Sequence, residues 1–202
     1  MRLPYRRKQG TAVVYNEAQG AAWLAGGYHR QLREKATMSE QAIELANRFT
    51  AANDRLIRTI QGASDAELQT ICPGEQWSVL VTARHVAISY RVVASWIRRV
   101  ANGEEVPVTR QQIDQGNALH AQEFATASRE EVLTLLRDNG IKAAETIRNL
   151  SDEQLGTSAI MGPENGARLT AEQVAQEVLI DHVAEHTTDI QAALARPAGG
   201  GA

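Results

Sequence analysis

Between Trp77 and Ala101 the chain carries neither glycine nor proline, a stretch far longer than an ordinary strand. Within it Val86, Ile88, Tyr90 and Val92 alternate as a half-buried strand would. Arg84, Arg91 and Arg98 decide against that reading, because their seven-residue spacing falls on one stripe of a helix. On a strand the same odd spacing would scatter them over both faces. The segment is predicted to be a helix over 77–101, stopped by Asn102-Gly103.

A helix of that length needs partners, and the chain supplies them. Ala42, Ala46, Phe49, Ala52, Leu56 and Ile60 recur at three- and four-residue steps, predicting a helix from about Ser39 to Gly62. Thr109 caps a shorter helix over about 110–126. Ser128 with Glu131 reads as a capping box for a helix reaching Leu150, with Asn139-Gly140 inside it. Thr170 with Gln173 caps the last helix, running to about Ala195, before Pro197 and a glycine-rich tail.

A weak repeat links two of these junctions. Ile60 to Thr70 matches Ile147 to Thr157, with Ser64-Asp65 and Leu68 answering Ser151-Asp152 and Leu155. Each copy closes one long helix, turns on a serine cap and leads towards another. The pattern fits an internal duplication and equally a common inter-helix connector. The fold class expected is all-α: a four-helix bundle of two helical hairpins with short connecting helices.

Hydrophobic residues are 43% of the chain and charged residues 22%, which excludes wholesale disorder. A formal charge of −3 lacks the basic footprint of a nucleic-acid binder. No apolar run approaches membrane-spanning length, so no membrane association is expected. One cysteine, Cys72, excludes a disulfide framework and fits a cytoplasmic, reducing compartment. Residues 1–37 differ from the rest, with seven Lys/Arg against Glu17 and Glu34. They are expected to be a disordered arm, or an extension upstream of a chain that starts at Met38. An organellar transit peptide and a basic arm touching nucleic acid are the alternatives. Residues 38–196 form the expected bundle, and 197–202 a flexible tail.

Three histidines break the apolar faces. With Trp77 at zero on a helical wheel, Val81, Ile88, Val92 and Trp96 fall between about 20° and 100°, and His85 lies at about 80° among them. His182 and His186, one turn apart, stack on the side of the last helix that carries Ala175, Val178, Leu179 and Ile190. A lone histidine there is most simply a hydrogen-bonded core residue. Unpaired rings stacked in a core would each cost about 1–3 kcal/mol, so three point to a shared ligand. Three neutral imidazoles with one open position suit a catalytic Zn²⁺, and Ni²⁺ or Fe²⁺ could take them. His182-Val-Ala-Glu185-His186 also fits the H-x-x-E-H protease pattern, with Glu185 as base. That pattern lacks its downstream carboxylate ligand here, since Asp189 is the sole acid after His186.

Trp77-Ser78 followed after six residues by His85, the His182/His186 pair, and Leu150-Ser151-Asp152-x-x-Leu155 resemble the signatures of one group. That group is the DinB-like (DinB/YfiT) superfamily of bacterial four-helix-bundle metalloenzymes, and the resemblance covers about residues 39–195. It implies a divalent metal held by His85, His182 and His186 in a cleft of the bundle. It also implies chemistry with a low-molecular-weight thiol cofactor and assembly as a homodimer. On a small-molecule substrate, a metal-activated hydroxide would give hydrolysis and a thiolate S-transfer or isomerisation. A non-catalytic metal-binding or stress-response bundle is the competing expectation.

Secondary candidates are weaker. Asp114 and Asn117 could reach the metal or a substrate, though a solvated face is the simpler reading. His120 is expected to be exposed, and Cys72 incidental. Asp181 and Asp189 could accept from imidazole N–H groups or simply be charged surface.

Overall fold

The structure is a computed structural model, and it describes residues 39–195. The long helices are α1 (Glu40–Gly62), α3 (Val79–Ala101) and α5 (Arg129–Arg148), with short α2 (Asp65–Leu68) and α4 (Arg110–Glu123) between them. After α6 (Asp152–Gly156) comes an antiparallel hairpin, β1 (Ser158–Met161) and β2 (Ala167–Thr170), paired from Ser158↔Thr170 to Met161↔Ala167. The fourth rod is composite. It starts as α7 (Ala171–Gln173), passes through a π-helical stretch, Val174–Ile180, and continues as α8 (Asp181–Leu194).

Caps set these boundaries. Ser39 accepts from the Ala42 amide at 3.0 Å and Ser78 from Val81 at 3.3 Å, so α3 starts one residue inside its cap. Both copies of the repeat are realised alike: Ser64 and Ser151 each form a complete capping box and launch a one-turn helix. Thr109 and Thr170 form boxes as well. At Ser128 only half of the expected box exists. Its hydroxyl accepts from the Glu131 amide at 3.2 Å, but the Glu131 carboxylate reaches Arg84 instead. Gly103, at φ +74°, supplies the left-handed turn that ends α3.

The four-helix bundle is present, and its order around the core is specific. α5 packs against both α1 and α3, and the composite last helix fills the opposite side between the same two. The consecutive long helices α1 and α3 therefore lie across the bundle from each other. Phe49, Leu56, Tyr90, Ile97, Leu136, Ile147, Leu179 and Ile190 are fully buried at its centre. The hairpin β1–β2 departs from an all-helical expectation. It occupies the connection before the last helix and ties to the α3–α4 loop through a Val106–Met161 bridge. The two middle helices, expected to run to about 126 and to Leu150, end two or three residues earlier, at Glu123 and Arg148. The N-terminal arm and the tail from 197 lie outside the described residues.

Candidate metal centre and its groove

The two rods that carry the histidines are neighbours in the bundle. His85 projects from α3 about two turns after the Ser78 cap, and His182 and His186 project from the first two turns of α8. The His182 Nε2 lies 3.3 Å from His85 Nε2 and 3.1 Å from His186 Nε2. One nitrogen from each ring can be chosen so that all three lie within 4.8 Å of one another. Trp77 closes the first side, its ring 5.5 Å from His85 in an edge-to-face arrangement. Gln76, just ahead of it, adopts φ +59° and donates its amide to the Pro73 carbonyl at 2.6 Å.

Burial disfavours the charged form of these rings. It pushes His85 down to about 3, with the neighbouring His186 and His120 adding to the effect. Burial likewise holds His182 well below the ordinary histidine value, and His186 and His85 act in the same direction. For His186 burial again lowers the value, against an upward pull from Glu75, Asp189 and Glu185.

The hydrogen bonding of His182 does not close. Its Nδ1 is buried without a partner, whichever nitrogen carries the proton. Its Nε2 faces two other imidazole nitrogens and, if protonated, can donate to only one of them. Three neutral lone pairs around one point satisfy a cation where they cannot satisfy each other. Nitrogens on one tetrahedral zinc, at about 2.0–2.1 Å each, stand about 3.3 Å apart, close to the two separations observed. The residues fit a divalent ion.

The other candidates separate cleanly. Asp181 accepts from the Gln176 side chain at 2.7 Å, and Asp189 takes the Gly74 amide at 3.0 and 3.1 Å. Neither bonds an imidazole, so the expected acceptor role is not what the geometry shows. Glu185 is exposed, and so is Asp114. Cys72 is fully buried, and burial pushes its thiol up, away from nucleophilic behaviour.

His120 is the correction. Expected in solvent, it is half-buried, with its ring 5.9 Å from His85, 6.4 Å from Trp77 and 5.2 Å from Phe124. Arg84 holds it there. The residue is 7% exposed, and its guanidinium stacks 3.2 Å from the Phe124 ring centre and bonds Glu131 at 2.8 Å. Its Nη1 lies 3.4 Å from His120 Nδ1. Arginine only donates, so Nδ1 accepts and the proton of the neutral ring sits on Nε2. Burial and the adjacent Arg84 charge both lower the His120 pKa. The spacing Ile113, Asn117, His120, Phe124 was the available signal for an inward face of α4.

Beside the histidines opens a groove of about 340 Å³ between α3 and α4, in which His85 and His182 form part of the lining. Asn117 and His120 contribute from α4, while Asp114 does not.

Residues 48–190 match the DinB superfamily, DinB_2. The chain belongs to that superfamily. No curated protein matches it in sequence. Among solved structures it is similar to YfiT from Bacillus subtilis, described as a probable metal-dependent hydrolase with an unusual four-helix bundle topology. The two share 17% identity and a TM-score of 0.63, covering 78% of this chain and 88% of that one. It is also similar to the mycothiol-dependent maleylpyruvate isomerase, at 17% identity and a TM-score of 0.59. That similarity covers 75% of this chain but only 60% of the isomerase. At such identity the two structures show a shared fold. Among the described residues no helix is long and apolar enough to cross a membrane.

Proposed function

We propose that this protein is a divalent-metal-dependent enzyme acting on a small molecule, with His85, His182 and His186 holding the ion. The observation that carries the reading is three converging imidazoles, of which His85 and His182 line a groove. Zinc is the ion best matched to this donor set, and nickel or iron are the alternatives. When bound, such an ion supplies Lewis acidity that lowers the pKa of a water or thiol ligand. The chain's own residues do the rest. Trp77 packs edge-on against His85, and burial disfavours protonation of the ligand rings, which favours donation to a cation. His120, with its tautomer set by Arg84, completes the polar edge of the groove.

Among the described residues no fourth His, Cys, Asp or Glu joins the cluster. A structural ion is usually closed by four protein ligands, so the three-ligand set favours the catalytic reading over a non-catalytic bundle. The reaction classes proposed are hydrolysis, the class given for YfiT, and low-molecular-weight-thiol S-transfer, to which a mycothiol-dependent isomerase lends the thiol but not the reaction. The functional unit is 38–196, with 1–37 as an extension. A homodimer in a bacterial cytoplasm is the setting that the family resemblance suggests.

Metal analysis of the purified protein tests the core of this reading. Wild type is expected to carry about one ion per chain, and His182→Ala and His85→Asn far less, with the folded circular-dichroism spectrum retained. Equal metal in all three would overturn it. Parallel assays of ester or amide hydrolysis and of thiol conjugation then choose the reaction class.

A further inference from the structure

The groove beside the histidines is long and graded along its length. On α3 its wall runs from His85 through Ile88, Ser89, Val92 and Val93 to Trp96. At about 1.5 Å per residue that is about 16 Å of helix. On α4 it runs from His120 back through Asn117, Gly116 and Ile113 to Arg110, a similar length. Because the His120 ring lies 5.9 Å from His85, Arg110 stands at the end away from the histidines. There its guanidinium bonds Glu164 at 3.0 Å, so the charge at that mouth is already neutralised.

The lining therefore falls into zones. At one end are the imidazoles. One turn further along each helix stand Ser89 and Asn117. Ser89 already donates to the Val86 carbonyl at 2.8 Å, which leaves its oxygen free to accept. Beyond them, short of the Arg110–Glu164 end where Gln112 and Pro163 also line the groove, the walls are Val92, Val93, Trp96 and Ile113, with Val178 from the π-helical stretch. A polyhydroxylated ligand would bury its hydroxyls against those side chains without partners, which is unfavourable. An alkyl or acyl chain would not.

We infer that this groove seats an elongated, mainly apolar small molecule, its polar head at His85 and His182 and its chain running towards Trp96. The inference deepens the metal-enzyme reading by naming the class of substrate: medium-length acyl or alkyl compounds with one reactive polar end. Head-group placement rests on the metal reading. The fit of the chain does not.

Calorimetry on two ligand series separates the two. With metal-free protein, 1-butanol to 1-octanol should bind with affinity rising about three- to fourfold per methylene. With zinc-loaded protein, acetohydroxamate to octanohydroxamate should rise by the same factor from a chelation-dependent baseline. Gly116→Phe is the control variant. Gly116 lines the groove, and a Cβ there meets no atom within 4 Å, so a side chain can be started from that wall without a clash at its first carbon. Replacing glycine within a helix also favours folding. In this variant chain-length dependence should vanish while acetohydroxamate affinity stays within about twofold of wild type, since none of the ring's contact is with a methyl-sized ligand. A flat alkanol series, a flat hydroxamate series, or an unchanged slope in Gly116→Phe overturns the inference. Failure of acetohydroxamate to bind, with a steep alkanol series, removes the metal reading and leaves the apolar chain site standing.

Discussion

Asn53 uses both ends of its amide inside the bundle. Its nitrogen donates to the Leu136 carbonyl at 3.1 Å, and its oxygen accepts from the Tyr90 hydroxyl at 2.9 Å. Tyr90 is fully buried, with its ring edge-on to Phe49 at 5.0 Å. Tyr90→Phe would leave a buried acceptor bare, and chemical denaturation should register a loss of about 1–3 kcal/mol. Gly140 faces the same amide, and a Cβ there would collide with Asn53. Glycine-to-alanine changes within helices usually stabilise, yet Gly140→Ala should lower the melting temperature, because the clash opposes the propensity gain. The histidines add a pH dependence to the metal-free protein. His85 titrates near 3 when folded and about 6.5 when unfolded, and His182 and His186 shift the same way. Between those values the unfolded chain binds more protons, so stability is full above about pH 6.5 and falls as the pH drops towards 3. A melting temperature unchanged between pH 7 and pH 4.5 would contradict this.

Among the helices α4 is the least anchored. None of its residues is fully buried, and it is held at its two ends, by Arg110–Glu164 and by the Arg84 cluster around His120 and Phe124. Its amides should exchange with deuterium faster than those of α1, α3 or α5, and Arg84→Ala should accelerate them by about tenfold or more while leaving α1 unchanged. The elements differ in how much of them could be read beforehand. α1 declares itself through its period and α3 through its length, its arginine stripe and the Asn102-Gly103 stop. The Ser78 cap that starts α3 two residues late is not legible beforehand. The inward placement of His85 follows from its neighbours on one wheel. His182 and His186 are equally legible as a pair. The π-helical stretch before them is not, since local periodicity does not encode an i→i+5 ladder. Arg84 shares a stripe with Arg91 and Arg98, yet only the tertiary approach of Glu131 and Phe124 draws it inward. That approach also explains His120: its burial depends on a partner 36 residues away. The groove exists only once α4 lies over α3, so no single segment announces it.

For the whole molecule, the match to the DinB superfamily spans residues 48–190 and lies wholly beyond Met38. A chain beginning at Met38 should therefore fold alone, with a melting temperature within a few degrees of full length. Zinc at about a hundredfold over its dissociation constant should stabilise the protein by about 2.7 kcal/mol. That corresponds to about 5–10 °C for a domain of this size, with no shift in His182→Ala. The ligand rings come from two rods, and His85 and His182 stand 97 residues apart in sequence. An ion gripping both would rivet the middle of the chain to its end. Under chelation that rivet falls out, the opened chain meets proteases, and cellular abundance would track zinc supply with no change in synthesis.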